Sequence, residues 1–441
     1  MAYLRGCSEN FVTSFRRLTH IFNRSFYEKS VPSCFKDALI TPVPKIPKPS
    51  TPADYRPISR LPLASKILEK LVARHWVLPH IKNLDVSQFA YIPRQGSGTV
   101  SALTLLYDNI TRYLDSKSGA VRLLTVDFSK AFDRLPFQTI LRSCVSAGLP
   151  VQAINWLFSY LSDRRQCVSL HNDVSTWQFL PSGVPQGSII GPLLFSITVA
   201  SLRPLHNNSR MIKYADDISL LHFIRCPKDD LLQSEFNHIK SWSNAVGLQL
   251  NHSKCFVTNF ITSKTLCCPP VFWSDDIVLP TTDEVKILGV TFSRNFSWST
   301  HISNQVNKVS KRIFIIRNLK RAGCSKAILM DVYIALMRSI LLYFYPCFCS
   351  APKYLHAMLS KIENRVFRIM SVDNYVPGHD ILSAADKLCN TLFDKVQRSY
   401  EHPLRELFES RNPTPRNSCL LRRPHVKTKR FGNSFIKYCP S

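Results

Sequence analysis

The stretch Met211-Ile-Lys-Tyr-Ala-Asp-Asp-Ile-Ser-Leu-Leu-His-Phe223 predicts two apolar strands joined by a tight acidic turn. The pair Asp216-Asp217 falls in that turn. A second segment, Val121-Arg-Leu-Leu-Thr-Val-Asp127, is apolar and β-branched, which predicts a strand that ends in an acid. Because the two segments are far apart in sequence, only a fold that pairs their strands brings these acids together.

Carboxylates that converge on one point are the ligands that Mg²⁺ prefers, and two such ions a few ångströms apart catalyse displacement at phosphorus. Asp127, Asp216 and Asp217 are therefore candidates for a two-metal site. The alternative is ordinary turn chemistry, because aspartate is common in tight turns. The aspartate pair alone does not decide between these interpretations, so the surrounding sequence has to.

The elements around these acids follow from periodicity. The proline-dense stretch from Thr41 to Ser50 disfavours helix and central strand, so we expect an extended connector there. Apolar β-branched runs predict the strands Lys254–Phe260 and Val285–Phe292. Helical spacing of apolar residues predicts the helices Leu63–His75, Thr99–Leu114, Leu135–Ala147, Val151–Leu161 and Leu231–Val246, the last ending at Gly247. Beyond about residue 300 the pattern is helical and basic, so we expect an α+β body followed by a helical domain.

The charge balance points to an anionic partner. The chain has 441 residues, with 57 Lys and Arg against 30 Asp and Glu, a formal charge of +27. Nucleic acid is the partner that most often matches such an excess, and a basic but inert surface is the alternative. The dense basic stretch Leu421–Arg430 is open to either interpretation, as a flexible tail or as a nucleic-acid contact.

The cysteine and apolar patterns disfavour secreted and membrane-spanning classes. None of the 14 cysteines has a Cys-x-x-Cys or other zinc-like spacing, so we expect reduced thiols and no zinc site. The longest apolar runs, Ile189–Leu202 and Ser339–Ser350, are too short to span a bilayer and contain proline. We therefore expect an intracellular protein, in the nucleus or the cytoplasm, without a membrane partner.

Seven sequence blocks occur in an order that resembles one known family, the reverse transcriptases of non-LTR (LINE-type) retrotransposons. Two blocks resemble the fingers of that family and five resemble its palm. They are Asp54–Ser59 with Lys66–Lys70, Gln88–Arg94 with Gly98-Thr99, Asp127–Asp133, Gly183–Ser188 with Gly191–Phe195, Tyr214–Asp217, Leu250–Lys254 and Leu288–Phe292.

The resemblance implies the fold class α+β, as a right-hand polymerase fold with fingers and a palm, built as an antiparallel sheet with helices, followed by a helical thumb. The implied domains are an N-terminal remnant (1–27), the fingers and palm (28–295), a thumb-like region (296–385) and a basic C-terminal tail (386–441). The implied activity is that of an RNA-directed DNA polymerase. Its expected partners are an RNA template, a DNA primer and dNTPs; the oligomeric state stays open.

The family roles transfer to matching positions. Asp127 and Asp216 would bind two Mg²⁺ ions, for which Mn²⁺ could substitute, with the backbone carbonyl of Phe128 as a further ligand. Asp217 would complete the acidic cluster. Phe132 would lie beneath the sugar and exclude a 2′ hydroxyl, with a plain core phenylalanine as the alternative.

The remaining roles concern nucleotide and primer. Gln186 would approach the incoming nucleotide, and Ala215 would lie near the primer end. Lys254 would protonate the leaving pyrophosphate, or else be a plain surface lysine. Candidate contacts from the fingers to triphosphate or template are Arg56, Lys66 and Arg94. The primer grip would comprise Leu288, Gly289 and Val290.

Two departures from the family limit these expectations. Ala90-Tyr91 stands where the second fingers block usually has Gly-Phe. Only about 30 residues precede the fingers, so we expect a truncated copy without an upstream endonuclease. Two other functions stay open: an inactive nucleic-acid-binding remnant, and a protein similar to group II intron maturases, against which the form of Gly183–Ser188 argues.

Overall fold

The computed structural model describes residues 16–81, 84–116, 119–170, 173–261, 268–371, 380–410 and 421–439. The strands in chain order are β1 (Asp37–Pro44), β2 (Tyr55–Arg60), β3 (Ala120–Val126), β4 (Arg165–Leu170), β5 (Asp173–Val174), β6 (Gln178–Phe179), β7 (Ser209–Tyr214), β8 (Asp217–Ile224), β9 (Phe256–Ile261), β10 (Phe272–Ser274), β11 (Ile277–Val278), β12 (Glu284–Ile287), β13 (Val290–Ser293), β14 (Glu409–Ser410) and β15 (Leu421–Arg422).

The helices in chain order are α1 (residues 16–28), α2 (Leu63–Val72), α3 (Leu78–Ile81), α4 (Thr99–Ser116), α5 (Ala131–Arg134), α6 (Phe137–Ser146), α7 (Val151–Leu161), α8 (Ile190–Val199), α9 (Leu232–Val246), α10 (Ser299–Arg321), α11 (Lys326–Tyr333), α12 (Ser339–Leu341), α13 (Tyr345–Phe348), α14 (Lys353–Met370), α15 (Ile381–Arg398) and α16 (Lys429–Gly432). Within the described ranges, none of the helices combines the length and the apolar character needed to cross a bilayer.

The sheet that positions the acids has the strand order β7-β8-β3-β9, with antiparallel pairing throughout. β3 and β8 are aligned so that Val126 lies opposite Ile218. Asp127 directly follows β3 and Asp217 is the first residue of β8. This register brings both acids to the same edge of the sheet.

The same sheet separates two apolar cores, which explains the nearly continuous apolar sequence of β3. Successive side chains of a strand point to opposite faces. Val121 and Leu123 pack in the core that contains α4 and the C-terminal helices α10, α14 and α15. Leu124 and Val126 pack in the other core, with α6, α7, α8 and α9. This sheet is therefore covered on both faces.

A second sheet, of order β2-β1-β4-β5 with β6 on β4, lies nearer the N-terminus. The structure corrects the expectation of a connector from Thr41 to Ser50, because β1 extends to Pro44. β1 pairs with β4 only as far as Ile40, whereas its later residues pair with β2 alone. Pro42 and Pro44 are tolerated because, among the described strands, this part of β1 pairs with β2 alone.

The structure confirms the five predicted helices as α2, α4, α6, α7 and α9, and Gly247 ends α9 with φ +81°. Two strand predictions need correction. Val285–Phe292 is a hairpin, β12–β13, because Leu288 (φ +46°) and Gly289 (φ +86°) reverse the chain. Lys254 lies in a 3₁₀ turn before β9 rather than in a strand.

The C-terminal region is helical, as predicted, and its last segment packs on α4. The carboxylate of Asp115, near the end of α4, accepts hydrogen bonds from the backbone N–H groups of Lys427 (2.9 Å) and Thr428 (2.5 Å). Part of the basic stretch Leu421–Arg430 is thus held against α4. The domain boundary expected at residue 385 falls inside α15.

A buried ion pair supports the hairpin formed by β7 and β8. Lys213 and Asp85 are almost fully buried, and their charged atoms lie 2.8 Å apart. The Lys213 ammonium also donates to the backbone carbonyls of Val199 (2.9 Å) and Leu202 (2.5 Å). This network ties β7 to the end of α8 and to the loop before α4.

We predict that Lys213→Met lowers the free energy of unfolding by about 3–5 kcal/mol, because it leaves the Asp85 carboxylate buried with less compensation. The double variant Lys213→Met/Asp85→Asn should lose less than the single variant. Equilibrium urea unfolding measures both. Arg165→Met, which breaks the exposed pair with Asp37, is the control and should cost less than about 1 kcal/mol. A double variant that loses as much free energy of unfolding as Lys213→Met alone, or more, would contradict this account.

Candidate active site

Three aspartates meet at one edge of the palm sheet. Tyr214 pairs with Asp217, so Ala215 and Asp216 form a two-residue loop between β7 and β8. Asp127 lies beside this hairpin through the β3–β8 pairing. The structure therefore brings together residues that are distant in sequence, as the motif analysis expected.

The backbone and side chain of Asp127 are held by the segment after α9. The backbone N–H of Asn251 donates to the Asp127 carbonyl at 2.8 Å, and its side-chain amide donates to Oδ2 at 3.3 Å. The Lys254 ammonium lies 3.2 Å from the same Oδ2 atom and is 63% exposed. Lys254 thus supplies the positive charge beside the aspartates in this structure, and most of its side chain is exposed to solvent.

The electrostatics of the cluster disfavour three negative charges. Burial, with the charge of Asp127, raises the pKa of Asp216. Burial and the charges of Asp216 and Asp127 raise the pKa of Asp217 to about 6, which Lys254 partly opposes. A cation placed between the carboxylates would relieve this repulsion.

Whether the residues fit a divalent metal depends on both chemistry and geometry. The donors are hard carboxylate oxygens, which suit Mg²⁺. Across the described part of the chain, however, no three His, Cys, Asp or Glu side chains are already arranged to hold an ion. The chemistry of the donor set fits a divalent cation, and the coordination geometry stays a prediction.

The loop from Gly183 to Gly187 approaches backbone of the neighbouring motifs very closely. A Cβ on Gly183 (φ +83°) would lie 2.5 Å from the Phe132 carbonyl oxygen. A Cβ on Gly187 (φ +120°) would lie 2.7 Å from the Ser59 carbonyl oxygen. Only glycine combines this space requirement with these dihedrals. The loop therefore packs between α5, which contains Phe132, and β2, which contains Ser59.

Gln186 belongs to that loop, and Phe132 lies against it. The Phe132 ring is half-buried and packs on Phe195, with ring centroids 4.7 Å apart. The Gln186 side-chain amide donates to Asp133 Oδ1 at 2.8 Å, and its backbone carbonyl accepts from the Ser59 N–H at 2.7 Å. Their nucleotide-facing roles stay predictions.

The three fingers cations differ in their surroundings. Arg56 is exposed on β2 and Lys66 is partly buried on α2. The Arg94 guanidinium donates to the Val86 carbonyl at 3.0 Å and lines a cavity of about 600 Å³ with Met211 and His402. These contacts place Arg94 against the palm and C-terminal segment, so they lend no support to the predicted nucleotide contact.

The predicted primer grip is the turn of the β12–β13 hairpin. Leu288 and Gly289 form its two-residue loop, and Val290 begins β13. Leu288 lines a small cavity together with Tyr214 and Asp217, so the hairpin lies next to the acidic cluster. Tyr343 donates a hydrogen bond of 2.8 Å to the Leu288 carbonyl and thereby links the loop to the C-terminal helices.

Sequence reasoning assigned no role to several residues that shape this site. Asn251 orients Asp127, and Asp133 fixes the Gln186 amide. Glu69 is buried and accepts from the N–H of Ile189, at 2.7 Å, at the start of α8. Gln88 is buried and contacts the backbone of Ala215. The sequence offered one indication of their importance, because all four lie within the family-like blocks: Asn251, Asp133, Glu69 and Gln88.

The chain belongs to the reverse transcriptase (RNA-dependent DNA polymerase) family, because residues 46–292, more than half of it, match the profile of that family. This membership confirms the predicted α+β right-hand polymerase fold. The sheet β7-β8-β3-β9 is its palm.

The curated relatives agree with the family. The chain is 28% identical to the probable RNA-directed DNA polymerase from transposon X-element of Drosophila melanogaster, over 86% of this chain and 42% of that protein. It is 28% identical to the one from transposon BS of the same organism, over 89% and 46%. The similarity to polymerases of mobile elements is confirmed, and the chain spans less than half the length of these relatives.

Solved structures of telomerase are also similar. The structure of apo telomerase from Candida tropicalis aligns with 89% of this chain and 68% of that chain, at 12% identity and a TM-score of 0.44.

We predict that Asp217→Asn stabilises the fold more at pH 7.5 than at pH 4.5. A carboxyl whose pKa is raised in the folded state, here to about 6, destabilises the fold progressively as pH rises from about 4 through 6. Asparagine removes that penalty. Melting temperatures in metal-free buffer measure the difference.

The control is Asp276→Asn, because Asp275 and Asp276 form an exposed two-residue turn between β10 and β11. That variant should change little at either pH. If Asp217→Asn changed the melting temperature equally at both pH values, the pKa of Asp217 would not be raised and the carboxylates would not repel one another.

Proposed function

We propose that this chain is the polymerase part of a mobile-element reverse transcriptase, which extends the 3′ hydroxyl of a DNA primer with dNTPs on an RNA template. The observation that carries the proposal is the convergence of Asp127, Asp216 and Asp217 at the edge of the palm sheet, beside Lys254. Family membership supports the same reaction class.

Two Mg²⁺ ions, or Mn²⁺ in their place, are the cofactors that fit this donor set. Asp127 and Asp216 would hold both ions, with the Phe128 carbonyl as a further ligand, and Asp217 would add negative charge nearby. When bound, such ions activate the primer hydroxyl and neutralise the triphosphate and the leaving pyrophosphate.

The protein's own residues would orient the reactants. Asn251 keeps the Asp127 carboxylate in one orientation. Lys254, exposed and next to Asp127, would move to the pyrophosphate and donate a proton as it leaves. Gln186, whose amide is fixed by Asp133, would present its oxygen to the nucleotide.

Primer and template would be held by elements on both sides of the acids. The loop Leu288–Gly289, with Val290, would grip the primer strand, whose end would lie against Ala215. Arg56 and Lys66 would contact template or triphosphate from the fingers. The net charge of +27 supports binding of a phosphate backbone. Residues 28–295 would form fingers and palm, and 296–385 the thumb.

We expect the purified chain to incorporate dNTPs on an RNA template with a DNA primer when Mg²⁺ is present. Asp216→Asn should reduce the rate by about 100-fold or more, because a metal ligand contributes several kcal/mol to the transition state. Asp276→Asn, in the exposed Asp275-Asp276 turn, should retain activity.

The competing function is an inactive nucleic-acid-binding remnant, which the basic charge also favours. Template–primer binding is therefore measured beside incorporation. Tight binding by the parent chain without any incorporation would reject the polymerase and leave the remnant.

We predict that Phe132→Val weakens discrimination against ribonucleotides. The half-buried ring would lie beneath the sugar, and valine would leave room for a 2′ hydroxyl. The ratio of kcat/KM for dNTP and rNTP measures this, with template–primer affinity as the control. An unchanged ratio would mean that Phe132 is a core residue packed on Phe195.

A further inference from the structure

Gln88 is a fully buried polar residue whose side chain packs against the loop between β7 and β8. Its Oε1 atom accepts hydrogen bonds from the backbone N–H groups of Ala90 and Ala215, each at 3.0 Å. Its Nε2 atom donates to the Ala215 carbonyl at 3.4 Å. Both polar groups of the Ala215 backbone therefore contact a single side chain.

Ala215 is a position that needs such support. It has φ +56°, in the left-handed region that residues with a Cβ rarely adopt. It connects Tyr214, the last residue of β7, to Asp216. A relaxation of Ala215 towards negative φ would rotate the following peptide and move the Asp216 carboxylate.

The chain that carries Gln88 is itself fixed to β7. The Lys213 N–H donates to the Ser87 carbonyl at 2.8 Å, and the Phe89 N–H donates to the Lys213 carbonyl at 2.9 Å. The Lys213 ammonium is held by Asp85 on the same segment. The backbone around Gln88 is therefore hydrogen-bonded to Lys213 of β7, two residues before Ala215.

We propose that Gln88 is a positioning residue, which holds Ala215 in its left-handed conformation and so places Asp216 for catalysis. The inference rests on the proposed polymerase function. A primary amide suits this task because it offers one acceptor and one donor without a charge. A carboxylate would retain the acceptor but would face the Ala215 carbonyl with a negative charge.

The main test is Gln88→Met, which keeps the length of the side chain and removes both polar atoms. We expect kcat for dNTP incorporation to fall by about 100-fold, because small misplacements of a catalytic group have effects of that size. The KM for dNTP and the affinity for template–primer should change less than about threefold. Gln88→Glu should lower kcat similarly.

Rescue separates positioning from a general loss of structure. Glycine adopts positive φ without steric strain, so Gln88→Met/Ala215→Gly should recover about tenfold in kcat over the single variant. Gln305→Met removes a buried glutamine of α10 and shows what such a loss does to the melting temperature alone. If kcat of Gln88→Met falls only together with the melting temperature and glycine gives no recovery, the proposal is wrong.

Amide hydrogen exchange provides a readout that does not need activity. In Gln88→Met the Ala215 amide should exchange at least about tenfold faster, because its only side-chain acceptor among the described contacts is removed, whereas the amide of Leu220 in β8 should be unchanged. Unchanged exchange at Ala215 would overturn the proposal even in an active enzyme. Absence of incorporation by the parent chain would reject the proposed function instead, while the exchange experiment would still test the contact.

Discussion

The antiparallel pairing of β3 with β8 is the constraint on which the rest of the structure depends. It aligns Val126 with Ile218 and so places Asp127 next to the hairpin that carries Asp216 and Asp217. A shift of this register by one residue would turn every side chain of β3 to the opposite core. Because both faces of the sheet are covered by helices, such a shift is strongly disfavoured. Packing in the two cores therefore fixes the positions of the three acids.

The strand pairing holds the three acids close together although their charges repel. Three carboxylates at one edge repel, and the raised pKa of Asp217, about 6, reflects their mutual charge as well as burial. The surrounding protein holds them by contacts that do not neutralise them fully. Asn251 binds Asp127, Gln88 contacts Ala215, and Lys254 provides one exposed positive charge. A carboxylate cluster that its neighbours do not fully neutralise is suited to bind divalent cations and the phosphates that accompany them.

Hydrophobic periodicity was sufficient to predict elements that pack within the cores, such as β3 and α4. It failed where contacts between distant segments override a local sequence preference. Proline-rich Thr41–Pro44 forms a strand by pairing with β2, and its prolines are tolerated because no other described strand pairs with it there. The turn at Leu288 depends on backbone dihedrals that an apolar run does not reveal. The acids were found from their motifs, whereas the contacts of Gln88 and Arg94 depend on packing between distant segments.

The chain contains its own comparison for the aspartate pair. Asp275 and Asp276 also form a hairpin turn, between the exposed strands β10 and β11. Both hairpins carry an Asp-Asp pair, although the loop of the first is Ala215-Asp216 and the loop of the second is Asp275-Asp276. Only the first hairpin lies at the end of a doubly covered sheet, beside a third acid and a lysine. Burial and charge, which raise the pKa of Asp216, come from that sheet and not from the pair itself. The chemistry of an Asp-Asp turn therefore depends on the pairing of the strands that carry it. The four-residue motif Tyr214–Asp217 indicates that pairing only together with the other sequence blocks of the family.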